Sequence, residues 1–253
     1  MQLIDTHSHI YLPAFDADRE DGLKRAVANN VTSILLPAID ATTHAHMLAA
    51  EAQWPQCRAM MGLHPCSVKD GYAQELFIVE THLQQRKFIA VGEIGLDFYW
   101  DTTFKHQQYE AFKTQIALAL HYDLPIVIHS RNATDECIEV VKAFPGLRGV
   151  FHCFSGTAAQ ANRIIELNFY LGIGGVVTYK NAGLGNIIKA VGLHAVVLET
   201  DAPYLTPVPY RGKRNESSYL PLIATTLSQI TNESIEDVAA ITTQNARKLF
   251  SLP

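Results

Sequence analysis

The chain of 253 residues is 48% hydrophobic and 18% charged, which excludes a disordered segment, a collagen-like repeat and a coiled-coil rod. Its formal net charge of −5 excludes a polybasic coat for duplex DNA, so any contact with nucleic acid has to come from a local cluster or a metal site. The four cysteines form no CxxC pair, the N-terminus lacks a basic and then apolar leader, and no apolar run approaches the roughly 18 residues of a membrane helix. A cytoplasmic protein without a membrane partner is expected, with a monomer favoured.

Short apolar or β-branched segments alternate with longer amphipathic ones along the chain. Strands are predicted at 2–5, 31–37, 58–63, 88–94, 125–130, 149–154, 169–175 and 195–200. Helices are predicted at 16–29, 42–53, 73–84, 103–121, 133–143, 158–166 and 186–191, with two more at 219–230 and 235–249. Near-continuous apolar strands, each followed by a helix, mark a buried parallel sheet. Eight such repeats favour a (β/α)8 TIM barrel over an open doubly wound sheet. No linker interrupts the pattern, so residues 1–253 read as one domain.

Such a barrel carries its chemistry at the C-terminal ends of its strands. The first predicted strand runs into Asp5-Thr6-His7-Ser8-His9, where residues two apart point the same way, so His7 and His9 present two imidazoles together. The bland alternative is a surface loop with two incidental histidines. The third predicted strand ends at His64, which reads as a substrate contact more than a ligand. The fourth ends in Gly92-Glu93-Ile94-Gly95-Leu96-Asp97. A carboxylate at Glu93, after an apolar run, is costly unless paired or metal-bound. The flanking glycines read as room for close approach of a ligand. Asp97 reads as a substrate contact or as support for a ligand.

The fifth strand ends at His129, the sixth at His152 and the eighth in Glu199-Thr200-Asp201. Taken singly, each has an ordinary explanation: a satisfied core histidine, a helix cap, an ion pair of Glu199 with a basic residue. Together they place His or carboxylate at five strand ends facing one mouth. Four His and two carboxylates exceed one tetrahedral site. They suit two adjacent divalent ions bridged by Glu93, an arrangement used for phosphoester cleavage. Asp201 is then placed to orient a water or take its proton. Cys153, next to His152, is expected to point away from the mouth, and Cys66 to be structural. The glycine-rich end of strand seven, 172–175, reads as space for substrate.

For phosphate recognition the best candidates are Arg211 and Arg214, in Arg211-Gly212-Lys213-Arg214, and then Arg131. Tyr99 and Trp100 could stack on unpaired bases or simply pack. Imidazole ligands favour zinc or manganese, and magnesium stays open.

The ordered blocks IDTHSHI, VGEIGLDFY, PIVIHSR, FHCFSG, LETDAPYL, RGKRNES and TTQNARKLF cover the chain, which resembles the TatD-type metal-dependent deoxyribonucleases of the amidohydrolase superfamily. The resemblance implies His7, His9, Glu93, His129, His152 and Asp201 as metal ligands, with Glu93 bridging two divalent ions. It implies hydrolysis of DNA phosphodiesters, often from a 3′ end, on single strands or ends. Relatives in the wider superfamily bridge their metals with a modified lysine; here Lys87 falls too early to do so. Where the family has Arg-Asn-Glu-Pro, this chain ends the block in Ser217, expected to loosen the start of the following helix. A small phosphoester or other small molecule is the alternative substrate, and a non-catalytic metal-binding barrel the second alternative.

Overall fold

Parallel strands and the helices that follow them alternate through the computed structural model, which describes residues 1–180 and 182–253. The strands are β1 (Leu3–Asp5), β2 (Val31–Leu36), β3 (Cys57–Ala59), β4 (Val91–Asp97), β5 (Ile126–Arg131), β6 (Gly149–Phe151), β7 (Tyr170–Ile173) and β8 (Val196–Leu198). The helices are α1 (Arg19–Ala28), α2 (Ala41–Gln53), α3 (Tyr72–Gln85), α4 (Lys105–His121), α5 (Thr134–Lys142), α6 (Ala158–Glu166), α7 (Leu184–Val191), α8 (Leu220–Thr231) and α9 (Ile235–Phe250). Helix starts follow ordinary capping chemistry: Asp40 and Thr43 form a capping box on α2, and Thr157 and Gln160 on α6.

Hydrogen bonding gives two parallel sheets, β1-β2-β3 and β4-β5-β6-β7-β8. Both seams between them are bridged. Met61 pairs with Val91 at one, and at the other Thr6 N–H donates to Leu198 O at 3.0 Å while Ser8 pairs with Ala202. The strands thus follow the (β/α)8 barrel order. Among the described residues, no helix is long and apolar enough to cross a membrane.

Alternation along the strands sorts side chains into two cores. Ile34, Leu36, Ile126, Ile128, Val196 and Leu198 pack outward under the helices. Leu35, Met60, Ala90, Val127, Val150 and Val197 pack together inside, and Ala246, Leu249 and Phe250 of α9 close this floor. The last helix is therefore the bottom plug of the barrel.

The main departure from the predicted elements is at the fourth strand, which runs three residues past Ile94 because its backbone stays paired with β5 as far as Asp97 and Arg131. Charge at Glu93 and Asp97 does not end the strand, since both find partners within the protein. The third strand is shorter than predicted; beyond Ala59 only Met61 makes a bridge.

Candidate metal centre

Two residues above the apolar floor, the inward positions change character. Val127 is followed by His129, Val150 by His152, and Val197 by Glu199. On the first strand, His9 N–H donates to Ala202 O at 2.7 Å and Asp201 N–H to His7 O at 2.9 Å. This zipper brings Asp201 Oδ1 to 3.7 Å from His7 Nε2 and 3.6 Å from His9 Nε2. Asp201 sits in the left-handed region at φ 56°, a conformation that costs energy in an L-residue and concentrates at functional sites.

Glu93 lies at the centre, 2% exposed. The register shifts between Val91 and Ile94, an irregularity of the kind that re-aims a side chain. Its two oxygens face different partners. Oε2 lies 3.2 Å from His7 Nε2 and 3.7 Å from His9 Nε2. Oε1 lies 2.9 Å from His129 Nδ1, 2.9 Å from His152 Nε2 and 3.3 Å from His64 Nε2. Burial opposes charge on Glu93, yet His152, His64 and His7 outweigh it and hold the carboxyl well below its ordinary range. Burial likewise works against charge on His152, but Glu93 and Glu199 raise it well above the usual imidazole value. Burial, together with neighbouring His7, pushes His9 well down. Burial pushes Asp201 up to about 6.

An outer layer decides which ring nitrogen faces inward. Asp97 Oδ2 takes His129 Nε2 at 2.7 Å. The Tyr11 hydroxyl donates to Pro37 O and stands 3.0 Å from His9 Nδ1, so it accepts from that nitrogen. Glu199 Oε1 lies 3.4 Å from His152 Nδ1. In its neutral form each imidazole has one N–H; Asp97 claims that of His129 and Tyr11 that of His9, while Glu199 lies beside His152 Nδ1, which has no hydrogen-bond partner among the described residues. His129 and His9 in that form turn lone pairs toward the oxygens of Glu93 and Asp201. Lone pair against carboxylate is unfavourable unless a cation lies between: a proton serves where an imidazole such as His152 is raised, and a divalent ion serves the whole donor set.

Distances agree. Ligand atoms of His7, His9 and Asp201, of His7, Glu93 and His152, and of His64, Glu93 and His129 lie within 4.8 Å of one another. Donors about 2.1 Å from a common ion would be at most about 4.2 Å apart, within a small adjustment of this. His64 differs from the other imidazoles. Its Nδ1 accepts Cys66 N–H at 3.0 Å, so its neutral ring carries the proton on Nε2 and presents a donor to the centre.

Several sequence expectations change. Asp97 is 1% exposed and spends its oxygens on His129 and on the N–H groups of Tyr99 and Trp100, at 2.9 and 3.1 Å. It positions a ring and is not open to substrate. Arg214 reaches both oxygens of Asp18 at 2.7 Å and covers Phe15, so its charge clamps the chain to the segment before α1. Ser217 is buried, opens a 3-10 turn over Ser217–Tyr219 and lies with its hydroxyl 3.4 Å from that of Ser8. Cys153 adopts φ 48°, which breaks strand alternation, and its thiol is pushed well up by burial and by Asp201, Glu199 and Glu93. The glycine-rich end of β7 holds protein atoms in place of substrate: a Cβ on Gly172 would fall 2.3 Å from Glu199 Oε2. Gly92 and Gly95 likewise admit Val127 and the His129 carbonyl, at 2.7 and 2.1 Å from a notional Cβ.

Arg131 and Arg211 have no carboxylate partner among the described residues and lie over aromatic rings, Arg131 3.7 Å from the centre of Tyr99 and Arg211 4.2 Å from that of Tyr179. Supporting groups that the sequence reading left unassigned are Asp5, Tyr11 and Asn215. Asp5 accepts from Thr200 Oγ1 and N at 2.6 and 2.9 Å and is pushed up to about 6 by burial. Asn215 donates to Thr200 O and Tyr204 O, both at 2.7 Å. Glu199 carried a usable signal, being in phase with inward-facing Val197; it accepts from Cys153 N–H, and the basic residue beside it is His152.

A parallel (β/α)8 barrel with this His-x-His pair, central glutamate, two further histidines and an aspartate at its mouth is that of a metal-dependent hydrolase. The family model for TatD related DNase matches residues 4–251, and the chain belongs to the TatD family. It is 37% identical over 253 residues to the uncharacterized metal-dependent hydrolase YabD of Bacillus subtilis, covering 99% of both chains. The crystal structure of YjjV, a TatD homolog from Escherichia coli K12, superposes with a TM-score of 0.94 at 32% identity, over 99% of this chain and 98% of that one. A TatD family hydrolase from Entamoeba histolytica shares the fold with a TM-score of 0.86 at 22% identity, over 99% of this chain and 98% of that one.

Proposed function

We infer that the protein hydrolyses DNA phosphodiesters, removing nucleotides from the 3′ end of single strands or duplex ends, at a centre of two divalent ions. The observation that carries this reading is the division of Glu93: Oε2 toward His7 and His9, Oε1 toward His129 and His152. In this reading His7, His9 and Asp201 complete one ion's ligands and His129 and His152 the other's, with zinc, manganese or magnesium as the metal.

Divalent ions there supply Lewis acidity, making a water more acidic and offsetting charge on the non-bridging phosphate oxygens. The chain's own groups do the rest. Asp201 orients the attacking water and takes its proton. Attack on phosphorus then breaks its bond to the 3′ oxygen of the preceding nucleotide, and that oxygen takes up the proton held by Asp201. His64, with its donor nitrogen inward, hydrogen-bonds a phosphate oxygen. Arg131 and Arg211 balance phosphate charge at the rim. One chain contributes every group, so a monomer suffices. Four free cysteines agree with a reducing cytoplasm.

A small phosphoester is the second reading, favoured by one observation: Arg214 is held by Asp18, which leaves less cationic surface for a long polyanion. The test is digestion of a single-stranded oligonucleotide, labelled separately at each end, by metal-loaded protein and by Asp201→Asn. Stepwise 3′ shortening by wild type alone is the expected result. Turnover of nucleotide analogues without cleavage of any oligonucleotide would transfer the function to small phosphoesters.

A further inference from the structure

We propose that Tyr99 and Trp100, with Arg131 lying over them, form a stacking subsite for the unpaired nucleobase next to the scissile phosphate; this rests on the nuclease reading above. The segment after β4 divides its aromatic residues sharply. Phe98 is packed against the core and Tyr109. Tyr99 and Trp100 are turned out, 51% and 68% exposed. Their rings meet edge to face, centres 4.8 Å apart at 86°, so Tyr99 covers at most one face of the Trp100 indole, which stays largely exposed. The Arg131 guanidinium lies 3.7 Å from the Tyr99 ring centre and 5.1 Å from that of Trp100. Without a carboxylate partner among the described residues, this cation is available to a phosphate while the rings take a base.

The platform is tied to the metal centre by one carboxylate. Asp97 Oδ1 accepts the N–H groups of Tyr99 and Trp100, and Oδ2 holds His129. Arg131 stands opposite Asp97 in the β4–β5 register. Farther along, Lys69 pairs with Asp101 at 2.7 Å and pins the loop. Rings, cation and reacting centre are thus held together before substrate arrives. A flat π surface beside an arginine suits any base, whereas a base stacked within a duplex cannot reach it.

The test uses the metal-loaded full chain and single-stranded oligonucleotides that are intact or carry one abasic nucleotide, placed in turn on either side of the terminal scissile bond. In wild type, the abasic nucleotide at one of these positions should lower kcat/KM by roughly 10- to 100-fold, and in Trp100→Ala by less than about threefold. Trp100→Phe, which keeps a ring, should restore most of the wild-type sensitivity. An equal abasic penalty in wild type and Trp100→Ala at every position would overturn the subsite and leave the nuclease reading standing. Failure of wild type to cut the intact oligonucleotide with manganese, magnesium or zinc would overturn the nuclease reading and the subsite with it.

Discussion

The floor and the mouth of this barrel are built from the same strands, one layer apart, and their chemistry is opposite. At the floor Val127, Val150 and Val197 meet Leu249 and Phe250 of α9 with no polar side chain among them. Two residues along each strand, roughly 6.6 Å higher, His129, His152 and Glu199 replace the valines. The floor gains free energy by removing apolar surface from water, about 1.5–3 kcal/mol for a large side chain. The mouth loses free energy by burying carboxylates and imidazoles whose inner lone pairs oppose one another. Stability and chemistry are thus separated along the barrel axis. The mouth can hold a costly arrangement because the layer beneath it is rigid and apolar.

Variants at the two levels should fail differently. The largest expected effect is from Glu93→Gln, which removes the shared carboxylate. Turnover of bis(p-nitrophenyl) phosphate should fall at least about a thousandfold, beyond the roughly 10–100-fold typical of an outer partner, with less metal retained after dialysis. Full metal content with full turnover would break the division of roles. At the floor, Phe250→Ala should cost about 3–5 kcal/mol, seen as a Tm lower by roughly 6–20 °C, while turnover per folded molecule stays near wild type at low temperature. A matching collapse of turnover in the folded variant would show that the two layers are not separable.

The outer layer of the mouth lies between these extremes. Asp97→Asn and Glu199→Gln should each weaken metal binding by roughly 10–100-fold, read by competition with a chelating dye. Unchanged affinity would reduce both carboxylates to packing. The smallest effect is expected at Arg214, whose charge is paired with Asp18. Arg214→Ala should cost about 1 kcal/mol and leave kcat/KM unaltered. Hydrogen bonding to Arg214 lowers the Asp18 carboxyl from its ordinary 3.8 to about 2. A depressed carboxyl stabilises the fold above the unfolded value and loses that contribution as pH falls through the folded one. The stability gap between variant and wild type should therefore narrow between about pH 4 and pH 2 in urea titrations.

Much of this molecule was legible from residue order. Alternating apolar runs and amphipathic segments marked the eight strands and nine helices found among the described residues. A His or carboxylate at five strand ends marked His7, His9, Glu93, His129, His152 and Asp201 as candidates, because a polar group that closes an apolar strand of a barrel has only the mouth to face. Local pattern misled where a partner distant in sequence decides the role. Arg211 and Arg214 are both cations of one short loop, yet Asp18 captures one while the other lies over Tyr179. For Asp97 the sequence leaves substrate contact and ligand support both open, and the pairing of β4 with β5 sets it behind His129. The glycines of β7 look like open space in a sequence and are filled by Glu199 once β8 pairs alongside.

By itself, then, the sequence determined the strand-helix period and the set of groups delivered to one end of the barrel, since both follow from short-range alternation. The tertiary structure alone decided which nitrogen of each imidazole turns inward, which acids support and which arginines remain without a carboxylate. Those outcomes depend on contacts between strands and loops far apart in the chain, and no local spacing encodes them.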